Sequence, residues 1–320
     1  MSPGQFAPLA VVSRSGVDES VHFGALVALQ PNGEVSFSVG DPRVAIYPRS
    51  STKPFQALAM VQSGLSLSPQ QLALVCASHN GEALHLETAR QILASAGLGE
   101  DALLNTVDFP LHVASAHEAI RRGDAKSSLQ MNCSGKHSGM LATCVLNGWP
   151  LDSYLDVNHP LQQTITDTIA ETTQQQPLAI GVDGCGAPAH VVELVGLARA
   201  MRAIAVGDAG TAGTQVFEAM SQHPYVVGGE GRHVTTIVSH IPGLFAKDGA
   251  ESVYVAATKE GHAVALKMSD GSGRATPTVL LAALQRLGVD TSGVPDSIRE
   301  VVLGHGQPVG DVRAVGIDEA

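Results

Sequence analysis

The sequence predicts an α+β fold, in which one antiparallel sheet is built from both ends of the chain and is covered by helices from the middle. β-branched and apolar runs separated by turn signals fill about residues 1–48 and return at about 250–320. Between them, at about 50–245, apolar residues recur at helical spacing. Strands from the two ends bury their faces most simply in one shared sheet. No internal repeat and no linker rich in Pro, Gly or Ser interrupts the chain, so we predict a single domain over 1–320.

The N-terminal strands are predicted from apolar runs and a turn signal. Pro8–Ser13 and Val21–Leu29 are the first two runs, and a Pro-Asn-Gly turn at 31–33 precedes a third run, Glu34–Val39. These three runs together predict a β-meander.

The helical part is predicted to begin at about Ser50, where the apolar spacing changes. A second helical pattern follows Glu82, and two more occupy His159–Thr173 and His190–Ile204. We therefore expect helices to dominate the middle of the chain.

Strand signals return near the C-terminus. The runs Ser252–Ala256 and His262–Met268 are separated by a Lys-Glu-Gly turn at 259–261, which predicts a hairpin. A last helix is predicted over Thr276–Leu287, and the Gly-rich tail after Val301 is predicted to be an irregular or edge segment.

Composition narrows the class of protein. Aromatic residues make up only 4% of the chain and hydrophobic residues 44%, so the core must consist mainly of Ala, Val and Leu. The formal net charge of -11 argues against nucleic acid or an anionic membrane surface as a partner. No apolar stretch reaches spanning length, and the first ten residues do not resemble a signal peptide. Four cysteines without framework spacing favour a reducing compartment, so we predict a cytoplasmic protein.

The most informative segment is the one around Ser50 and Lys53. The chain has only six lysines, and Lys53 alone has a serine three positions before it. Pro54 is tolerated only in the first turn of a helix, so Ser50 and Lys53 are expected on one face of that turn. A lysine can activate a serine hydroxyl when burial or nearby cations keep the amine neutral. The alternative is that Ser50 is an N-cap and Lys53 a surface charge.

Two further clusters carry reactive side chains. Ser78 lies in the segment Cys-Ala-Ser-His-Asn-Gly-Glu at 76–82, which is typical either of a site loop or of a turn between helices. Lys267 lies in an otherwise apolar strand, where it must point to solvent or into a site.

Two cysteine-bearing loops are candidates for a metal site. Cys133 lies in Asn-Cys-Ser-Gly-Lys-His at 132–137, and Cys185 lies in Asp-Gly-Cys-Gly-Ala-Pro at 183–188. The two thiols could bind a metal with a third ligand from Lys136 or His137. A pair of inert buried thiols is the default alternative.

Taken together, these segments resemble the bacterial asparaginase family typified by the inducible, thermolabile rhizobial enzyme. The resemblance covers nearly the whole chain and rests on five ordered segments: 48–53, 76–82, 132–137, 183–188 and 265–267. It implies a fold similar to that of serine β-lactamases, penicillin-binding proteins and serine glutaminases. It also implies hydrolysis of L-asparagine to L-aspartate and ammonia through a covalent β-aspartyl-enzyme, by a homodimer.

The resemblance also implies roles for individual residues. The expected catalytic residues are the nucleophile Ser50, its partner Lys53, and a second Ser–Lys tandem, Ser78 with Lys267. The expected zinc ligands, completed by water, are Cys133, Lys136 and Cys185. We expect the zinc to shape the site rather than to supply the nucleophile. The expected substrate contacts are Arg49, Asn132, His137 and Asp183.

Three alternatives stay open at this point. A glutaminase differs by one methylene in its substrate, and pockets discriminate such pairs only modestly. A β-lactamase or peptidase of the penicillin-binding type shares Ser-x-x-Lys but usually carries Lys-Thr-Gly on its last catalytic strand, which 267–269 does not reproduce. A non-catalytic metal or redox sensor would use Cys133 and Cys185.

Overall fold

Strands from both chain ends are present, as the sequence predicts. Within residues 2–318, the part of the chain that this computed structural model describes, the strands are β1 (Ala7–Arg14), β2 (Val17–Leu29), β3 (Val35–Val39), β4 (Ala45–Ile46), β5 (Ala179–Val182), β6 (Pro188–Glu193), β7 (Leu244–Gly249), β8 (Val253–Thr258), β9 (Ala263–Met268), β10 (Val301–Gly304) and β11 (Gln307–Ala314).

Helices fill the middle of the chain, with one more near the C-terminus. They are α1 (Lys53–Gln62), α2 (Pro69–Val75), α3 (Ala83–Ser95), α4 (Val113–Arg122), α5 (Ser134–Asn147), α6 (Pro160–Thr173), α7 (Leu194–Ala205), α8 (Gly210–Gln222), α9 (Pro224–Val227), α10 (His233–His240) and α11 (Thr276–Arg286). Among the described residues, no helix combines the length and the apolar character needed to cross a membrane.

The main sheet joins the two chain ends. Its strand order is β10-β11-β1-β2-β9-β8-β7, with β3 also paired to β2, and the pairings are antiparallel. Strand β2 therefore lies between strands of both ends, and its Ala25 faces Lys267 of β9 across the ladder. The predicted α+β architecture, one antiparallel sheet built from both ends and covered by helices, is confirmed.

Helices bury the centre of this sheet. α7 packs against β2, β8 and β9, and α11 packs against β8, β9 and β11. All side chains of β8 and β9 are buried, which is why these strands read as continuous apolar runs rather than alternating ones. Lys267 is thus a charged residue in a strand that has no solvent face.

One local prediction is wrong, and a second is resolved in favour of one of its two alternatives. The helix predicted from His190 begins only at Leu194, because Pro188–Glu193 forms β6 in a second, three-stranded sheet of order β4-β6-β5. Of the two alternatives predicted for the tail after Val301, the edge segment is the one observed: the tail forms the hairpin β10–β11, β11 pairs with β1, and β10 lies at the edge of the main sheet. Both segments are strands because of partners distant in sequence, which local patterns do not reveal.

Candidate active site

The turn that carries Ser50 is held in a strained conformation. One helical turn, Arg49–Thr52, leads directly into α1, as Pro54 predicts. Arg49 has a φ of 54°, in the left-handed region that residues with a Cβ rarely adopt. A Cβ added to Gly249 of β7 would collide with the Pro48 carbonyl and the Ser51 hydroxyl. The backbone of the edge strand β7 therefore packs closely against this turn and restricts the position of the half-buried Ser50.

Lys53 links this turn to the second cluster. Its side chain is only 2% exposed, so it is not a surface charge. The Nζ atom donates hydrogen bonds to the Ala77 carbonyl at 2.5 Å and to the Ser78 hydroxyl at 3.0 Å. The 76–82 segment connects α2 to α3, as the turn alternative predicts, and it also places the Ser78 hydroxyl within hydrogen-bond distance of Lys53.

A network of three charged side chains, which the sequence did not predict, is hydrogen-bonded to the backbone of Ser78. Arg232 donates to the Ser78 carbonyl at 3.1 Å and to the Asp248 carboxylate at 2.5 Å. The fully buried Lys247 amine donates to the same carboxylate at 2.8 Å. Arg232 thus anchors the backbone of Ser78 to β7.

The surroundings of this network shift the pKa values of Lys247 and Asp248. Burial, with Lys53 nearby, lowers the pKa of Lys247 to about 8, although Asp248 opposes the shift. Burial alone would raise the pKa of Asp248, but Lys247 and Arg232 hold it well below its usual range. Asp248 is therefore a carboxylate at neutral pH, compensated by two cations.

A signal for this network exists in the sequence. Lys-Asp-Gly at 247–249 has the Lys-x-Gly pattern, and the structure places it on the strand beside the Ser-x-x-Lys turn. Residues 267–269, which do not reproduce that pattern, lie two strands further into the sheet.

Lys267 is buried and reaches a different partner from the one expected. Its amine donates a hydrogen bond to the Glu251 carbonyl, whereas Ser78 is bonded by Lys53. Burial lowers the pKa of Lys267, and the nearby Arg49 adds to this, while Glu251 opposes it. The Lys267 amine is thus near enough to Arg49, in the Ser50 turn, for the guanidinium to affect its pKa. The Ser78–Lys267 tandem stays a prediction.

The two cysteine loops meet in a second cluster. The side chains of Cys133, Lys136 and Cys185 are all buried, and the Lys136 amine lies 3.1 Å from the Cys185 sulfur. The thiols are free, and both pack against Ala187. The neighbouring Cys133 thiol, with help from Lys136, holds the pKa of Cys185 well below its usual range. Two thiols and an amine, converging and shielded from water, are a donor set that fits Zn²⁺ with one position left open.

The expected substrate contacts lie around this cluster. Arg49 and Asp183 form an ion pair at 2.8 Å, which joins the Ser50 turn to the Cys185 loop. Asn132 accepts a hydrogen bond from Cys133 at 3.0 Å. His137 is completely buried and bonds the Tyr154 hydroxyl at 2.9 Å. Burial lowers the pKa of His137 to about 4, with Lys136 adding to the shift.

The Ser50 turn and the segments 76–82, 132–137 and 183–188 therefore form one centre. In it, a buried serine–lysine pair lies on an α+β scaffold beside a thiol–amine cluster. The model of the L-asparaginase II family matches residues 10–314, nearly the whole chain. The chain belongs to that family and is an asparaginase-type amidohydrolase, acting on a small-molecule amide.

Solved structures that resemble the chain are remote in sequence. A β-lactamase from Mycobacterium bovis is 14% identical over 82% of this chain and 94% of its own, with a TM-score of 0.47. The probable glutaminase YbaS is 14% identical over 83% and 86%, with a TM-score of 0.41. A Bacillus glutaminase is 12% identical over 84% and 92%, with a TM-score of 0.37. A comparison with curated proteins gives no match.

Proposed function

We propose that this protein is an L-asparaginase that hydrolyses L-asparagine to L-aspartate and ammonia, with Ser50 as the nucleophile. The observation that carries the proposal is the buried Lys53, three residues after Ser50, hydrogen-bonded to Ser78. A lysine that is shielded from water and touches a hydroxyl is suited to move protons rather than to solvate a surface.

The reaction proceeds by double displacement. The Ser50 oxygen attacks the side-chain amide carbon, and its proton passes to Lys53 and, through Ser78, to the leaving nitrogen. The carbon–nitrogen bond breaks, ammonia leaves, and a β-aspartyl ester of Ser50 remains. Water then attacks this ester, returns a proton to Ser50 and releases aspartate. Backbone amides at the helix start stabilise the negative charge on the carbonyl oxygen in both steps.

The ends of the substrate are bound by the ion pair beside the nucleophile. Asparagine is a zwitterion, so Arg49 can bind its α-carboxylate and Asp183 its ammonium group. These two side chains lie 2.8 Å apart and are partly accessible. The substrate would therefore insert between two groups that compensate each other in the free enzyme.

Zinc bound by Cys133, Lys136 and Cys185 would orient the loops that carry Asn132 and Asp183. When bound, it would supply a fixed positive charge and rigid geometry rather than the attacking water. Lys136 must lose its proton to act as a ligand, and two thiolates beside it would compensate the metal charge.

Two other expectations of the resemblance are proposals about the whole protein. We expect a homodimer, which light scattering on the eluting peak of a size-exclusion column would show as twice the chain mass of 33.0 kDa. We expect a cytoplasmic location, which fractionation of the source cells would test.

The decisive experiment is ammonia release from L-asparagine, with L-glutamine in parallel, by the wild type, Ser50→Ala and Ser51→Ala. Ser51 is a matched control, because its hydroxyl lies in the same turn but donates its hydrogen bond to the Lys247 carbonyl, at 3.3 Å, rather than to Lys53 or Ser78. We expect release from asparagine that disappears in Ser50→Ala and persists in Ser51→Ala.

Other outcomes would redirect the assignment. Release that survives in Ser50→Ala would move the nucleophile to Ser78 or to metal-bound water. Faster release from glutamine would make the protein a glutaminase. No release from either amide by folded, zinc-loaded wild type would refute the amidohydrolase mechanism and favour a sensor based on Cys133 and Cys185.

A further inference from the structure

A cavity of about 380 Å³ lies at the end of the β7–β8 hairpin, where it faces the loop that leads into α11. Residues 248–254 form one wall and residues 271–276 the other, with Arg232 at the side. Its lining does not include Ser50, Ser78 or the thiol–amine cluster, so it is a separate space from the centre described above. Its volume suits a ligand the size of an amino acid.

Three residues of the lining carry a buried polar atom that has no hydrogen-bond partner among the described residues. These atoms are Ser252 Oγ, Tyr254 Oη and Arg274 Nε. The side chains of Tyr254 and Ser252 are 2% and 6% exposed, so bulk water does not hydrate them freely. Burial raises the pKa of Tyr254 well above its usual range, so its hydroxyl is a donor at any physiological pH.

An unpaired buried hydroxyl or guanidinium nitrogen costs on the order of 1–3 kcal/mol. Three such groups around one cavity therefore lower the stability of the fold unless a bound molecule accepts their hydrogen bonds. All three can donate, and a guanidinium cannot accept. The complementary ligand is an acceptor, and an oxyanion offers enough lone pairs for all three.

The charges around the cavity limit the ligand to a monoanion. Arg232 is already compensated by Asp248, and Arg274 forms no ion pair with any described residue. Glu251, which also lines the cavity, adds a negative charge. With the Lys247 amine, which also bonds Asp248, three cations lie beside two carboxylates, so the site can balance a single negative charge but would leave a dianion in excess.

We propose that this cavity is a second binding site, for a small monocarboxylate, whose carboxylate accepts hydrogen bonds from Arg274, Tyr254 and Ser252. The site requires no covalent step and does not depend on which amide the enzyme hydrolyses. It adjoins the catalytic centre through two residues. The Glu251 carbonyl receives the Lys267 amine, and Arg232 holds the Ser78 carbonyl.

The test is isothermal titration of the full-length protein with propionate, a monoanion, and in parallel with inorganic phosphate. We expect wild type to bind propionate. Both Arg274→Gln and Tyr254→Phe should raise the dissociation constant about tenfold, which corresponds to about 1.4 kcal/mol. Arg299→Gln is the matched control, because it removes one positive charge from a surface pair with Asp296, and its binding should equal that of wild type.

Tyr254→Phe preserves the ring and removes only the hydroxyl, so it decides the question even if Arg274→Gln does not fold. Absence of propionate binding by wild type would overturn the proposal. Equal binding by wild type and Tyr254→Phe would do so as well, because the carboxylate would then lie elsewhere. Phosphate binding without propionate binding would contradict the assigned class of ligand.

Discussion

The Lys53 amine donates a hydrogen bond to the Ser78 hydroxyl across 3.0 Å, and both side chains are buried. This contact joins a helix start to a loop 25 residues further along the chain. It places one amine between two hydroxyl-bearing segments, and proton transfer in the proposed mechanism depends on it.

Replacing Lys53 with methionine should strongly slow catalysis while the protein stays folded. Methionine has a similar length and suits a buried site, but it can neither accept nor donate the proton. We expect kcat for asparagine hydrolysis to fall by about 10²–10⁴-fold, the usual contribution of a positioned acid or base. Ammonia release measures kcat, and thermal unfolding measures stability.

Lys259→Met is the control for the Lys53 variant, because Lys259 is exposed and pairs only loosely with Glu260, at 3.9 Å. It should retain wild-type kcat. A Lys53→Met enzyme that is as fast as wild type would exclude Lys53 as the proton carrier.

Asp248 should make the protein sensitive to acid. Its pKa is lowered in the folded state, so its ionised form contributes stability above the unfolded value of about 3.9, and this stability is lost as pH falls towards the folded value. We therefore expect the free energy of unfolding of wild type to decline below about pH 5 more steeply than that of Asp248→Asn. Urea titrations at a series of pH values compare the two slopes.

The same Asp248→Asn variant has a catalytic readout. Because Arg232 bonds the backbone of Ser78 and is not one of the proposed substrate contacts, loosening it should lower kcat with little change in KM. Parallel acid curves for wild type and variant, or a change confined to KM, would contradict a positioning role.

Gly249→Ala should disturb the Ser50 turn from the neighbouring strand. The added Cβ would overlap backbone and side-chain atoms of Pro48 and Ser51, and the strained turn has little room to yield. We expect a loss of about 1–3 kcal/mol in stability and a lower kcat. Gly4→Ala, where a Cβ would meet nothing within 4 Å, should leave both quantities unchanged. A fully active and stable Gly249→Ala enzyme would show that the turn is not held in this way.

The thiol–amine cluster should bind one zinc ion per chain. Metal analysis of the purified protein should find zinc in wild type and in Cys144→Ala, whose thiol is buried elsewhere in α5. Zinc should be lost from Cys133→Ala and Cys185→Ala. Because thiols must lose protons to bind, occupancy should fall on acidification. Equal zinc content in Cys185→Ala and wild type would place the metal at another site.

Local sequence signals were sufficient for much of the fold and for part of the site. Helical periodicity and turn residues depend on near neighbours, so α6, the β1–β2 pair and the hairpin of β8 and β9 were predictable. The spacing of Ser50 and Lys53 is likewise local, because Pro54 and one helical turn determine their common face. Scarcity of lysine then singled out Lys53 and Lys267.

The tertiary structure alone decided what these residues contact. Three contacts depend on segments far apart in sequence. They are the hydrogen bond from Lys53 to Ser78, the one from Lys267 to Glu251, and the bonds by which Arg232 joins Ser78 to Asp248. The strands β6 and β11 also depend on distant partners: the local pattern at β6 predicts a helix start, and the pattern after Val301 leaves an irregular segment and an edge segment equally open. Periodicity reports which face of a segment is buried, whereas hydrogen-bond partners depend on which segments the whole chain brings together.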